Sequence, residues 1–137
     1  MPHSMHHKLI VLLCGLFLVG CMSSEEKKTL ETLQHLAAET PMYPGFSQVG
    51  STHVIKNGRG TLALFYQSPA SYGREVKGFY IKELTARGWG VDEERTYGGN
   101  TLGITFLKGE YSIVVNYSSP RDQNWDYAIN YSWKRKD

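Results

Sequence analysis

Cysteine is almost missing from this 137-residue chain: there are two, Cys14 and Cys21, and none beyond. Residues 22–137 therefore hold no internal disulfide, no thiol nucleophile and no cysteine–zinc site, so their fold rests on its own core. A long apolar run is lacking too. The stretch Leu9–Gly20 has 12 residues, where a spanning helix needs about 20. Neither sign of charge dominates, with 15 Lys and Arg against 13 Asp and Glu. That balance gives little reason to expect nucleic acid as a partner. The catalytic signatures GxSxG, HExxH, GxGxxG and the P-loop do not occur. His35 and His53 have no metal-ligand partner two to four residues on. Asp92-Glu93-Glu94 lacks the glycine and spaced oxygens of a calcium loop and reads as a solvated edge. Asp122 and Asp126 flank one loop, and glycoside hydrolysis needs such a carboxylate pair, but pairs of this kind arise readily by chance. The chain is read as a non-enzyme with no metal and no cofactor.

What is present begins at the N-terminus, from either Met1 or Met5. Lys8 precedes the apolar Leu9–Gly20, the layout of a secretory signal, whose apolar core runs to roughly 7–15 residues. Leu18-Val19-Gly20-Cys21 then resembles the lipobox of bacterial lipoproteins at all four positions. The resemblance implies removal of residues 1–20 by signal peptidase II. It implies a diacylglyceryl thioether on Cys21, with its freed amine open to a further acyl chain such as palmitate. Two or three chains anchor stably where one does not. Met22, where an Asp favours retention in the inner membrane, points to the periplasmic face of the outer membrane. Cleavage would leave 117 residues, one domain's worth, with 14 basic residues against 13 acidic once Lys8 is lost.

Leu30, Leu33, Leu36 and Ala37 recur at helical spacing, so residues 21–42 are expected to be a lipidated start followed by a loosely attached spacer helix. The domain proper is expected over 43–137. Gln48–Lys56 and Thr61–Gln67 read as a hairpin about Asn57-Gly58, a strong turn signal. A helix follows, with Ser68 or Ser71 as its cap and Val76, Phe79, Tyr80 and Leu84 as its apolar stripe. Gly88 is its stop signal. Gly78 in mid-helix points to close backbone approach to a sheet. Strands follow over Trp89–Tyr97, Leu102–Phe106, Tyr111–Tyr117 and Trp125–Trp133, the last two with period two. The order β-β-α-β-β-β-β predicts an α+β fold: an antiparallel sheet of five to six strands with one helix across a face, preceded by the N-terminal helix. Asn116 and Asn130 sit in N-x-S sequons, which beside a lipobox read as strand positions.

Two patterns add resemblances. Tyr43-Pro44-Gly45, then Phe79-Tyr80-x3-Leu84-x3-Gly88-Trp89, then Lys108-Gly109, resembles small uncharacterised bacterial envelope and secreted proteins. The layout from Arg74 to Val115 is similar to the small domains of outer-membrane assembly lipoproteins. Candidate site residues are Trp125, Tyr127, Tyr131 and Trp133, which alternation places on one face of the last strand, and Tyr43. Exposed, they would form a stacking surface; buried, they are the core under the helix, the reading regular alternation favours. Trp125 and Trp133, at the strand ends, are best placed to reach the surface. Lys134-Arg135-Lys136 reads as a solvated tail. The function expected is a membrane-anchored binding or assembly module, its partner another envelope protein. A module for cell-wall glycan or a small ligand is the alternative, and a hydrolase ranks behind both.

Overall fold

The computed structural model describes residues 22–97, 101–118 and 124–134. Residues 1–20, Cys21, the turn Gly98-Gly99-Asn100, Asp122 and Arg135-Lys136 lie outside the described residues. Helix α1 (Ser24–Glu39) is followed by β1 (Ser47–Lys56) and β2 (Arg59–Gln67), then α2 (Lys77–Ala86), then β3 (Gly90–Tyr97), β4 (Thr101–Lys108), β5 (Tyr111–Tyr117) and β6 (Tyr127–Lys134). The strands form one sheet in the order β1-β2-β6-β5-β4-β3, antiparallel at every pairing. This is the predicted α+β architecture.

Local chemistry sets the turns. Asn57 and Gly58, both at positive φ, make the β1–β2 hairpin, where left-handed backbone matches the twist of the strands. Ser71 caps the second helix: its Oγ accepts the Arg74 N–H at 3.2 Å, and Glu75 reaches back to the Ser71 N–H at 2.8 Å. The first turn is wide, with the Val76 N–H donating to the Ser71 carbonyl five residues back. At the other end Gly88 N–H donates to Thr85 and Trp89 N–H to Leu84, the paired closure that a left-handed glycine permits.

The core lies between the sheet and the helices. Val76, Tyr80 and Leu84 of the α2 stripe are buried over Ile104, Phe106, Ile113 and Val115. Helix α1 departs from expectation. It is not loosely attached: Leu33 is wholly buried and Thr29 nearly so, while Leu30, Leu36 and Ala37 pack against the core. Gly60 on β2 makes this possible. A Cβ there would stand 2.8 Å from Thr29 and 3.2 Å from Leu33, so hydrogen in place of a side chain lets the helix settle onto the sheet. Gly78 departs in the opposite sense. A Cβ there meets nothing within 4 Å, so no close approach explains that glycine.

The two glycines therefore give opposite predictions. Gly60→Ala forces α1 outward and is expected to cost about 1–3 kcal/mol. Gly78→Ala is expected to stabilise by up to about 1 kcal/mol through helix propensity. Denaturant unfolding of the two variants beside the parent checks both signs.

Buried tyrosines give a second prediction. Burial raises the pKa of Tyr66, Tyr80 and Tyr131 above the usual phenol value. It pushes Tyr72 up to about 12, with the nearby Glu94 carboxylate adding to the effect. The unfolded chain releases these protons near pH 10, and the folded chain holds them to higher pH. Stability is thus full below about pH 10 and falls as the pH rises beyond it, by about 1.4 kcal/mol per pH unit for each such phenol. Unfolding midpoints that stay flat from about pH 9 to 11 would contradict the assignment of these phenols as buried and neutral.

Candidate functional site

Both helices lie on one face of the sheet and leave the other open. Registered partners share a face, so the pairing defines the open surface row by row. One row runs Val54, Thr61, Ser132, Ser112, Leu107. The next runs Thr52, Ala63, Asn130, Val114, Thr105, and the third Gly50, Phe65, Ala128, Asn116, Gly103. Over β1, β2, β6, β5 and β4 these three rows contain no charged residue. Charge borders them on the β3 edge, where Glu93 and Arg95 continue the second and third rows, and in the next row toward the β1–β2 hairpin, where Lys56 stands opposite Arg59. They pair at 2.7 Å, and the Arg95 guanidinium holds the exposed Glu93 carboxyl below the ordinary range. Small, uncharged residues with 70% of Val54 and 43% of Leu107 exposed are unusual on a solvated sheet face, where Lys and Glu are ordinary.

At the centre of this face is a shallow depression of about 510 Å³. Ala63 and Ala128 form its floor, Phe65 and Trp125 one wall, and Asn116 and Asn130 supply the polar groups. The Phe65 and Trp125 rings pack 5.3 Å apart. Trp125 comes from the loop before β6 and is clamped by its neighbour. Asp126 is buried; its carboxylate accepts the Ser68 N–H at 2.9 Å. Its own N–H donates to the Tyr66 carbonyl at 2.9 Å, and its carbonyl accepts the Ser118 N–H at 3.0 Å. This triple tie fixes the chain on both sides of the loop. It gives Asp126 a structural role, and its would-be catalytic partner Asp122 lies outside the described residues.

The predicted site residues are dispersed rather than gathered. Alternation from Trp125 to Trp133 does not hold through Asp126, because that residue is pinned to the β2 end. Trp125 thus turns to the open face while Tyr127, Tyr131 and Trp133 turn to the helices. Tyr127 and Tyr131 are buried core and leave the candidate surface. The Tyr127 hydroxyl donates to the Ala70 carbonyl at 2.6 Å. Tyr43 packs edge-on against Phe79 at 5.2 Å and beside Phe46 at 5.4 Å. Its N–H donates to the Tyr80 hydroxyl, so it ties the segment between α1 and β1 to α2. Trp133 is half-buried, stacked on Tyr111 at 6.0 Å, with its indole N–H donated to Glu110 at 3.0 Å. Phe65 and Val114 were not singled out by sequence, and Asn116 and Asn130 were noted only as sequons, not as site residues. The signal that could have found them was the even-numbered set Ser112, Val114, Asn116, Ala128, Asn130 and Ser132 on β5 and β6, small and uncharged throughout.

A second depression of about 560 Å³ lies where both helices end, over Leu36, Leu84, Trp89 and Tyr111. Its polar groups are engaged in closing the helices. The Lys108 ammonium donates to the Arg87 carbonyl at 2.8 Å, Arg87 to Glu83 at 2.8 Å, and the Thr40 hydroxyl to the Leu36 carbonyl at 2.8 Å. Among the described residues no group of three His, Cys, Asp or Glu could hold a metal ion. His35 pairs with Glu39 on the surface of α1, and Glu94 pairs with Lys77 at 2.7 Å. No helix among the described residues is long and apolar enough to cross a membrane. No family model, curated protein or solved structure matches the chain.

Asp126→Ala removes a charge-assisted hydrogen bond and leaves the Ser68 N–H buried without it. A loss of about 1–3 kcal/mol in unfolding free energy is expected. A variant as stable as the parent would show that the loop is held by other means.

Proposed function

We propose that the protein is a membrane-anchored, non-catalytic binding module of the bacterial envelope, lipidated on Cys21, whose open sheet face receives another envelope protein. The observation that carries this reading is the uncharged surface spanning β1 to β4 around Phe65 and Trp125. The centres of protein interfaces are depleted of charge and enriched in aromatic residues, and an apolar, rigid surface invites a partner. The lipobox-like Leu18-Val19-Gly20-Cys21 supports the address. The core already supplies the fold, so the open face is free to be chosen for what it meets.

The amides of Asn116 and Asn130 beside Trp125 favour a second reading, a saccharide stacked on the indole and hydrogen-bonded at its edge. The two readings separate by experiment. Crosslinking in intact cells, with mass spectrometry of captured partners, is made on the parent, on Cys21→Ser and on Asn130→Arg. Asn130→Arg places a charge at the centre of the open face. One envelope protein captured by the parent and lost or strongly reduced in both variants is the expected result. Capture that survives Asn130→Arg would remove the open face from the account. Quenching of Trp fluorescence by peptidoglycan fragments, abolished by Trp125→Phe, would favour the saccharide.

A further inference from the structure

The sheet has two edges, β3 and β1, and they are guarded differently. A sheet edge offers its free N–H and C=O groups to any extended chain, and proteins blunt it with charge, proline or bulges. β3 does so. Asp92, Glu93, Glu94 and Arg95 stand in succession on it, and its register shifts between Val91 and Glu93. β1 does not. Ser47–Lys56 is the longer strand, has no proline, and carries no Asp, Glu, Lys or Arg before Lys56. Its own bulge, between Gln48 and Gly50, lies at one end and leaves Gly50–Lys56 in regular register. Val54, in that regular run, is 70% exposed.

The hairpin fixes which groups of β1 point outward. In a two-residue turn such as Asn57-Gly58, the closing pair Lys56 and Arg59 exchanges both backbone hydrogen bonds. Bonded and non-bonded pairs alternate along an antiparallel ladder, so Val54 and Thr52 also bond toward β2. Ser51, His53 and Ile55 therefore turn their N–H and C=O away from it. Among the described residues no strand pairs with this side of β1.

We propose that β1 pairs with β1 of a second copy of this chain, antiparallel, about a two-fold axis at His53. Ser51 then stands opposite Ile55 of the second copy, Thr52 opposite Val54, and Gly50 opposite Lys56. The outward groups of Ser51, His53 and Ile55 meet their counterparts. The register sets the two lysines far apart and brings the β-branched Thr52 and Val54 together across the new ladder, a favourable kind of cross-strand pair. The uncharged open faces of the two copies join into one. A foreign strand would bring an outer edge of its own. Two copies use up both unguarded edges, and each end of the joined sheet is then a β3 guarded by charge. An isologous contact of this kind closes at two copies. The proposal goes beyond the binding reading above and needs neither the acyl anchor nor the envelope partner.

The test uses the full chain carrying Cys14→Ser and Cys21→Ser, so that an introduced thiol is the one present, with copper phenanthroline as oxidant. Paired residues at such a site stand about 5.5 Å apart at Cα, a separation that a disulfide takes. His53→Cys is expected to form a disulfide-linked dimer about ten-fold or more faster than Lys82→Cys on the exposed side of α2. Association through the apolar Leu9–Gly20 segment would raise both alike. Register is read from a second pair. Two copies of residue 51 stand about 14 Å apart, four residues at about 3.4 Å each, beyond a disulfide's reach of about 7 Å. Ser51→Cys is thus expected to link poorly to itself and readily to Ile55→Cys. Adding Thr52→Lys and Val54→Lys, which oppose like charges across the ladder, is expected to bring the His53→Cys rate down to that of Lys82→Cys. Residues 52, 53 and 54 are exposed, so these variants should fold, and circular dichroism checks it. In intact cells a photoreactive side chain at position 53 is expected to capture a second copy. A His53→Cys rate no faster than that of Lys82→Cys, Ser51→Cys linking to itself as fast as to Ile55→Cys, or capture of a different protein from position 53 in place of a second copy overturns the proposal.

Discussion

The fold depends on the seat of α1 on Gly60, where Thr29 and Leu33 occupy the space a Cβ would fill. From that contact the rest of the arrangement follows. With α1 lying against β2, β6 and β1 and α2 meeting β3 at the far edge, two helices cover one face between them. The aromatic residues Phe46, Tyr66, Tyr80 and Tyr127 then close the seam where the helices meet, Phe46 stacking on Tyr127 at 4.9 Å and on Tyr66 at 5.2 Å. A core of this kind needs nothing from the second face. Without a disulfide to staple the domain, one-sided burial is the chief source of stability, and the opposite face is left to other demands.

Much of the architecture was legible in the sequence because its signals are local. The hairpin at Asn57-Gly58, the stop at Gly88 and the period of two over β5 and β6 each act within a few residues. They lead directly to the succession of elements along the chain and to the apolar stripe of α2; the place of β6 between β2 and β5 was not among them. The seat of α1 was not legible, because it depends on Gly60 meeting Thr29 and Leu33 across about thirty positions of sequence, and a glycine near a hairpin reads as part of the turn. The face assignment of Trp125 failed for a related reason. Periodicity describes a regular strand, and Asp126 interrupts it with long-range ties to Tyr66 and Ser68.

The candidate site was less legible than the fold. A sequence search for chemistry notices large or charged side chains, and here it picked out aromatic residues that the structure puts mostly into the core. The open face announces itself by what it lacks. Ser112, Val114, Asn116, Ala128, Asn130 and Ser132 are unremarkable one by one, and only their registration across adjacent strands turns them into a continuous uncharged surface.

The most direct measurement is photocrosslinking in living cells from single positions. A photoreactive side chain is placed at Val114 or Asn130 on the open face, and in separate chains at Lys82 or Thr85 on the exposed side of α2. If the open face is the binding surface, the first two positions capture a common envelope component and the α2 positions do not. Capture from α2 with none from Val114 and Asn130 would contradict the account and place the working surface on the helices.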